Sequence, residues 1–133
     1  MAATGGCLCG GVRFRIDTDP ETLEICHCRQ CRKAQGGPFV VVAPVAAADF
    51  QLIKGSELMR AFASSPGKER LFCSRCGAPI LSRRADRPAW VRVRAGSLDE
   101  PVAARPVSHA HFASKAEWWE IGDDLPQHPR SRP

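Results

Sequence analysis

The sequence predicts a mainly β fold of short strands with one short helical turn near the C-terminus. Three observations predict it. Apolar residues alternate with polar ones in several segments, glycine- and proline-bearing breakers separate those segments, and a single late segment carries a helix-start signal. At 133 residues the chain is expected to form one domain, spanning 1–133, with a core large enough to need no covalent staples.

The elements are read in order. From Gly11 to Ile16, Val12, Phe14 and Ile16 alternate with Arg13 and Arg15, the pattern of a half-buried strand. Thr22 to Cys28 is a second strand candidate. Phe39 to Val42 is a continuous apolar run between Gly36-Gly37-Pro38 and Pro44, which fits a strand buried on both sides. Phe50–Ile53, Leu58–Ala63, Glu69–Phe72 and Pro79–Ser82 follow, punctuated by Lys54-Gly55-Ser56 and Ser64-Ser65-Pro66-Gly67. In Ala89–Ala95, Val91, Val93 and Ala95 alternate with Trp90, Arg92 and Arg94. Ser114-Lys115-Ala116-Glu117 matches a capping box ahead of Trp118, Trp119 and Ile121, so a short helix is expected there, with both tryptophans packing it. Gln127 to Pro133 reads as a frayed tail.

Composition narrows the function. Apolar residues make up 44% and charged residues 25%, a globular balance rather than a disordered one. The longest charge-free stretch, Ala34 to Ala48, is broken by two glycines and two prolines and is too short to span a bilayer. The opening Met-Ala-Ala-Thr-Gly-Gly shows no basic-then-apolar pattern, so no secretory signal is read and a cytoplasmic, reducing location is expected. The formal charge of +5 and pI near 9.0 invite a nucleic-acid reading. The basic residues are scattered, however, and no basic–aromatic array is present for stacking bases. A nucleic-acid partner is therefore not expected.

The cysteines point to the chemistry. Seven is an odd number, and they fall as Cys7 and Cys9, Cys26, Cys28 and Cys31, and Cys73 and Cys76. Pairs one or two residues apart make poor disulfide staples, and clustered thiols in a reducing compartment indicate a soft metal such as zinc. Cys73-Ser-Arg-Cys76-Gly77 is half of a zinc knuckle. Cys7 and Cys9 can complete a closed four-sulfur site with it. Cys26, Cys28 and Cys31 are then left as three ligands, the number that reactive zinc sites use while keeping a position open. His27 as a fourth ligand is the competing partition. An extended backbone points it away from Cys26 and Cys28, so a surface or hydrogen-bonding role is favoured. An iron–sulfur cluster fits neither the ligand number nor the spacing.

An open trithiolate zinc is a weak water activator but is suited to holding an incoming thiol as thiolate. Addition of that thiolate to a small aldehyde gives a hemithioacetal, with proximity supplying much of the acceleration. Arg29, Arg32 and Lys33 flank the trio. They could bind the carboxylates of a peptide thiol or, more simply, offset the negative metal centre. A noncatalytic zinc module for protein or nucleic-acid interaction, and a thiol-based sensor, are the alternative functions.

Gly6-Cys7-Leu8-Cys9-Gly10, Cys26-His27-Cys28-Arg29-Gln30-Cys31-Arg32-Lys33 with Gly37-Pro38-Phe39, and Phe72-Cys73-Ser74-Arg75-Cys76-Gly77 resemble three motifs of one family. It is the glutathione-dependent formaldehyde-activating enzyme family, which includes centromere protein V. Gly96-Ser97-Leu98-Asp99 and His109-Ala-His111…Ser114-Lys115-Ala116-Glu117-Trp118 also look like its signatures. The resemblance covers about residues 5 to 125. It implies an Mss4-like zinc-binding β fold with two Zn²⁺ per chain. Cys7, Cys9, Cys73 and Cys76 would hold the structural ion, and Cys26, Cys28 and Cys31 the catalytic one. The implied activity is that of a carbon–sulfur lyase, forming S-(hydroxymethyl)glutathione from formaldehyde and glutathione. The sequence departs from the pattern at Glu117, where proline is frequent in the family.

Overall fold

The computed structural model describes residues 3–131. Ten strands are found among them: β1 (Ala3–Gly6), β2 (Arg13–Ile16), β3 (Leu23–Cys26), β4 (Val40–Ala46), β5 (Phe50–Lys54), β6 (Met59–Ser65), β7 (Lys68–Cys73), β8 (Pro79–Arg84), β9 (Trp90–Arg94) and β10 (Pro106–Ala110). One α-helix, α1 (Arg29–Gln35), lies between β3 and β4. The strands make a three-stranded sheet, β1-β2-β5, and a seven-stranded one, β10-β3-β4-β9-β8-β7-β6. The fold is mainly β, as the alternation predicts.

The alternation that runs into β2 puts Val12, just ahead of the strand, and Phe14 and Ile16 within it wholly inside, and Phe14 stacks on Phe50 at 5.0 Å. Burying side chains of this size contributes about 1.5–3 kcal/mol each. Their cover is one face of the large sheet. Ala43 pairs with Val93, Val93 with Leu81 and Leu81 with Leu71. Directly paired residues share a face, so all four meet the small sheet and form the main core with β2. The opposite face is different. There Cys26 pairs with Val40 and Glu24 with Val42, Val42 with Arg94 and Pro44 with Arg92, Arg92 with Ser82 and Ser82 with Arg70. This second face carries sulfur, guanidinium and hydroxyl groups, with a small cluster of Cys31, Val40 and Val42 at the α1 end.

Four local readings are corrected. The strand expected through Cys28 stops at Cys26, and Cys28 caps α1, which no start signal announced. Its Sγ accepts the Cys31 N–H, taking the place of the usual Ser or Asp oxygen. Pro44 lies inside β4 rather than ending it. Pairing with β3 ends at Val42, so at Pro44 the strand is flanked by β9 alone, where a missing N–H is tolerated.

The C-terminal helical turn is a 3-10 turn at Phe112–Ser114. It ends where the capping box was expected to begin. No helix follows among the described residues, so Trp118 is 63% and Trp119 44% exposed instead of packing one. The tail is not frayed as far as Ser131. The Pro126, His128 and Arg130 carbonyls accept the His109, Phe112 and His111 N–H groups, because the edge of β10 needs partners. Residues 132–133 of the expected tail lie outside the described residues.

Candidate metal centres

The seven cysteines, all free thiols, converge as two groups, Cys7 with Cys9, Cys73 and Cys76, and Cys26 with Cys28 and Cys31. Within each group the sulfurs lie within 4.8 Å of one another.

The four-sulfur group joins two turns, each closed by a glycine N–H onto its first cysteine's carbonyl. The Gly77 N–H donates to the Cys73 carbonyl at 2.7 Å, and the Gly10 N–H to the Cys7 carbonyl at 3.2 Å. Gly77 and Gly10 take φ values of 78° and 77°, which favour glycine and let the chain fold back with both sulfurs on one side. Cys7 and Cys9 Sγ are 3.5 Å apart. The Val12 N–H donates to Cys7 Sγ at 3.2 Å and Arg75 Nε to Cys9 Sγ at 3.3 Å. The Gly11 N–H and the Arg75 guanidinium draw the Cys9 thiol down to about 6. Four converging sulfurs, two of them already supplied with hydrogen-bond donors, fit a tetrahedral thiolate-bound zinc.

The three-sulfur group sits where β3 passes into α1. Cys26 ends the strand, Cys28 caps the helix and Cys31 occupies its first turn, so a strand end and one helical turn bring the three together. Hydrogen bonds from Cys26 and Cys28 and the Arg70 guanidinium pull the Cys31 thiol down, whereas contacts with Cys28 and Cys31 push Cys26 up. The donor set again suits zinc, with Cys26, Cys28 and Cys31 as the residues that would hold it.

His27 is not among these sulfurs' companions and is not on the surface. It is fully buried, and its Nε2 lies 2.8 Å from His109 Nδ1. His109 Nε2 is 3.1 Å from each Asp123 carboxylate oxygen. Phe39 and Phe112 meet the His27 ring edge-on at 5.4 and 5.6 Å. Burial and the neighbouring His109 push His27 down to about 4, so its ring is neutral at physiological pH.

Comparison with known proteins decides the family. The family model described as glutathione-dependent formaldehyde-activating enzyme matches residues 2–114. The chain belongs to this family. A Halomonas elongata protein bearing the name of a glutathione-dependent formaldehyde-activating enzyme is 32% identical over 129 residues, which are 91% of this chain and 82% of that one. An uncharacterized lyase of Schizosaccharomyces pombe is 29% identical over 76 residues, 57% of this chain and about half (53%) of that protein. A Rhodobacter sphaeroides protein of known crystal structure shares the fold, with a TM-score of 0.64 and 20% identity over 77% of this chain and 98% of that one.

Beyond the cysteines, the structure brings up residues that sequence reasoning missed. The cations against the three sulfurs are not chiefly the flanking ones. Arg29 and Lys33 are exposed, and Arg32 donates to the Ser114 carbonyl at 3.0 Å. Arg70, arriving from β7, reaches Cys31 Sγ at 3.7 Å. Its Nε and Nη1 have no partner. Arg94, which is 5% exposed, donates to Ser82 Oγ at 3.4 Å and the Arg92 carbonyl at 3.3 Å. Lys68 and Arg94 are both pushed down by burial. Neither they nor Arg70 has a carboxylate partner among the described residues. Only strand pairing places these cations beside Cys31. The alternation of β9 reveals which face Arg94 takes but not what it meets.

Proposed function

We propose that the chain is a zinc-dependent enzyme that adds a small thiol such as glutathione to formaldehyde, yielding S-(hydroxymethyl)glutathione. In this reading Cys7, Cys9, Cys73 and Cys76 hold a structural zinc, and Cys26, Cys28 and Cys31 the reactive one. The observation that carries it is the separation of the seven sulfurs into a group of four and a group of three. Four thiolates saturate zinc, and three leave it able to accept a substrate sulfur. Family membership and the names of the two relatives support the same chemistry. Free thiols in this number suit a cytoplasmic setting.

Zinc bound by the trio would supply a soft Lewis acid that keeps an incoming thiol ionised near neutral pH. The remaining work falls to the chain. The strand end and the first helical turn fix the three sulfurs on a rigid base, so little reorganisation accompanies reaction. Arg70, Arg94 and Lys68 place positive charge against that anionic sulfur cluster, and none of the three is in an ion pair with a carboxylate among the described residues. In the addition itself the thiol sulfur forms a bond to the aldehyde carbon. The carbonyl π pair moves to oxygen, and the proton lost by the thiol ends on that oxygen as the hydroxymethyl group.

The test is nuclear magnetic resonance exchange between formaldehyde, glutathione and their adduct, with and without the zinc-loaded protein. Acceleration above the spontaneous rate, lost in Cys28→Ser, supports the reading. Rates unchanged by the protein for every thiol tried overturn it in favour of a noncatalytic zinc module.

A further inference from the structure

The chain Asp123–His109–His27 runs from a half-exposed carboxylate to the residue between two of the three sulfurs, and the reaction above uses none of its members. A carboxylate only accepts, so His109 Nε2 carries the hydrogen directed at Asp123. His27 Nδ1 is buried without a partner, so the one hydrogen of this ring sits on Nε2 and is donated to His109 Nδ1. Among the described residues the Nε2 bond is therefore the only polar anchor of the His27 ring.

The backbone is tied to the same place. The His27 N–H donates to the Ala110 carbonyl at 3.0 Å, the His109 N–H to Pro126 at 2.8 Å, and the His128 N–H returns to the His109 carbonyl at 2.8 Å. Asp123 is itself fixed by the Leu125 N–H at 3.0 Å. The C-terminal segment thus holds β10, and β10 holds residue 27 by main chain and side chain. The family match ends at residue 114, so Asp123 and the segment around it lie beyond it.

We propose that His109 and Asp123 are positioning residues that hold Cys26-His27-Cys28 in metal-binding geometry through the hydrogen bond to His27. The proposal rests on the reading that the three sulfurs hold zinc. Partners one bond removed from a metal ligand typically change affinity roughly 10- to 100-fold when lost, and here the held residue is the link between two ligands.

The test titrates the full chain with Zn²⁺, and with Co²⁺ as a spectroscopic probe, without thiol or aldehyde. Wild type is expected to bind two ions. His109→Leu and Asp123→Ala should weaken the second ion roughly 10-fold or more and alter its Co²⁺ absorption, with the first ion and the melting temperature unchanged. His109→Asn, whose Oδ1 can accept from His27 where Nδ1 did, should restore part of that affinity. Asp123→Ala, at an exposed site, serves if His109→Leu fails to fold. Wild-type affinity and spectrum in His109→Leu and Asp123→Ala overturn the proposal. So does an Asn variant no better than Leu, or equal weakening of both ions with a fall in melting temperature. Binding of a single ion by wild type overturns the metal reading of the trio itself, and the positioning role with it.

Discussion

Cys9 Sγ lies 3.9 Å from Cys73 Sγ across 64 residues of sequence, so the N-terminal turn and the end of β7 are joined at one point. Cys73 is fully buried, and serine cannot replace its thiolate as a soft ligand. Structural zinc contributes about 10–16 kcal/mol to folding in small modules, as much as a whole domain's net stability. Cys73→Ser is therefore expected not to fold, read as loss of the cooperative thermal transition.

Cys28 has two tasks, and substitution can separate them. Its Sγ caps α1 by accepting the Cys31 N–H at 3.3 Å. Serine keeps a capping oxygen, and alanine removes the cap at a cost of about 1 kcal/mol. Cys28→Ser and Cys28→Ala should both remain folded with one ion fewer by elemental analysis. Cys28→Ala should melt a few degrees below Cys28→Ser.

Removal of metal is expected in two stages. A site of three ligands yields its ion to a chelator before a site of four. The first ion should leave with circular dichroism unchanged, and the second should take the fold with it. Simultaneous release at a single chelator concentration would contradict this order.

Gly55 couples β5 to the first cysteine turn by close approach. It takes φ 91°, and a Cβ there would stand 2.2 Å from the Gly11 carbonyl oxygen. The obstacle is backbone, so it cannot swing aside. Gly55→Ala should cost about 3 kcal/mol or more, combining left-handed strain with overpacking, as measured by chemical denaturation.

Much of this was legible in the chain. The alternation around Phe14 and Val93 gives the strands because a half-buried sheet imposes period two on any sequence. The cysteine spacings give the two sulfur groups because ligand number and reach are local properties. Three features were not legible. Helix α1 starts at a cysteine, which resembles a metal ligand more than a cap. The segment after Gln127 reads as polar tail because its hydrogen bonds are main chain to main chain and leave no mark on residue choice. His27 reads as a surface or hydrogen-bonding residue; the hydrogen bond is there, but its burial was not legible, because burial of a histidine depends on its neighbours, here Phe39, Phe112 and His109, which are remote in sequence.

By itself, then, the sequence determined the β class and the number and softness of the clustered sulfur donors, since periodicity and thiol spacing act over a few residues. Tertiary structure alone decided which charges and hydrogen bonds surround them. Arg70 meets Cys31, and Asp123 reaches His27 through His109, because strands distant in the chain are paired in a particular register. Register is fixed by the cooperative burial of the core, and no short stretch of the chain encodes it.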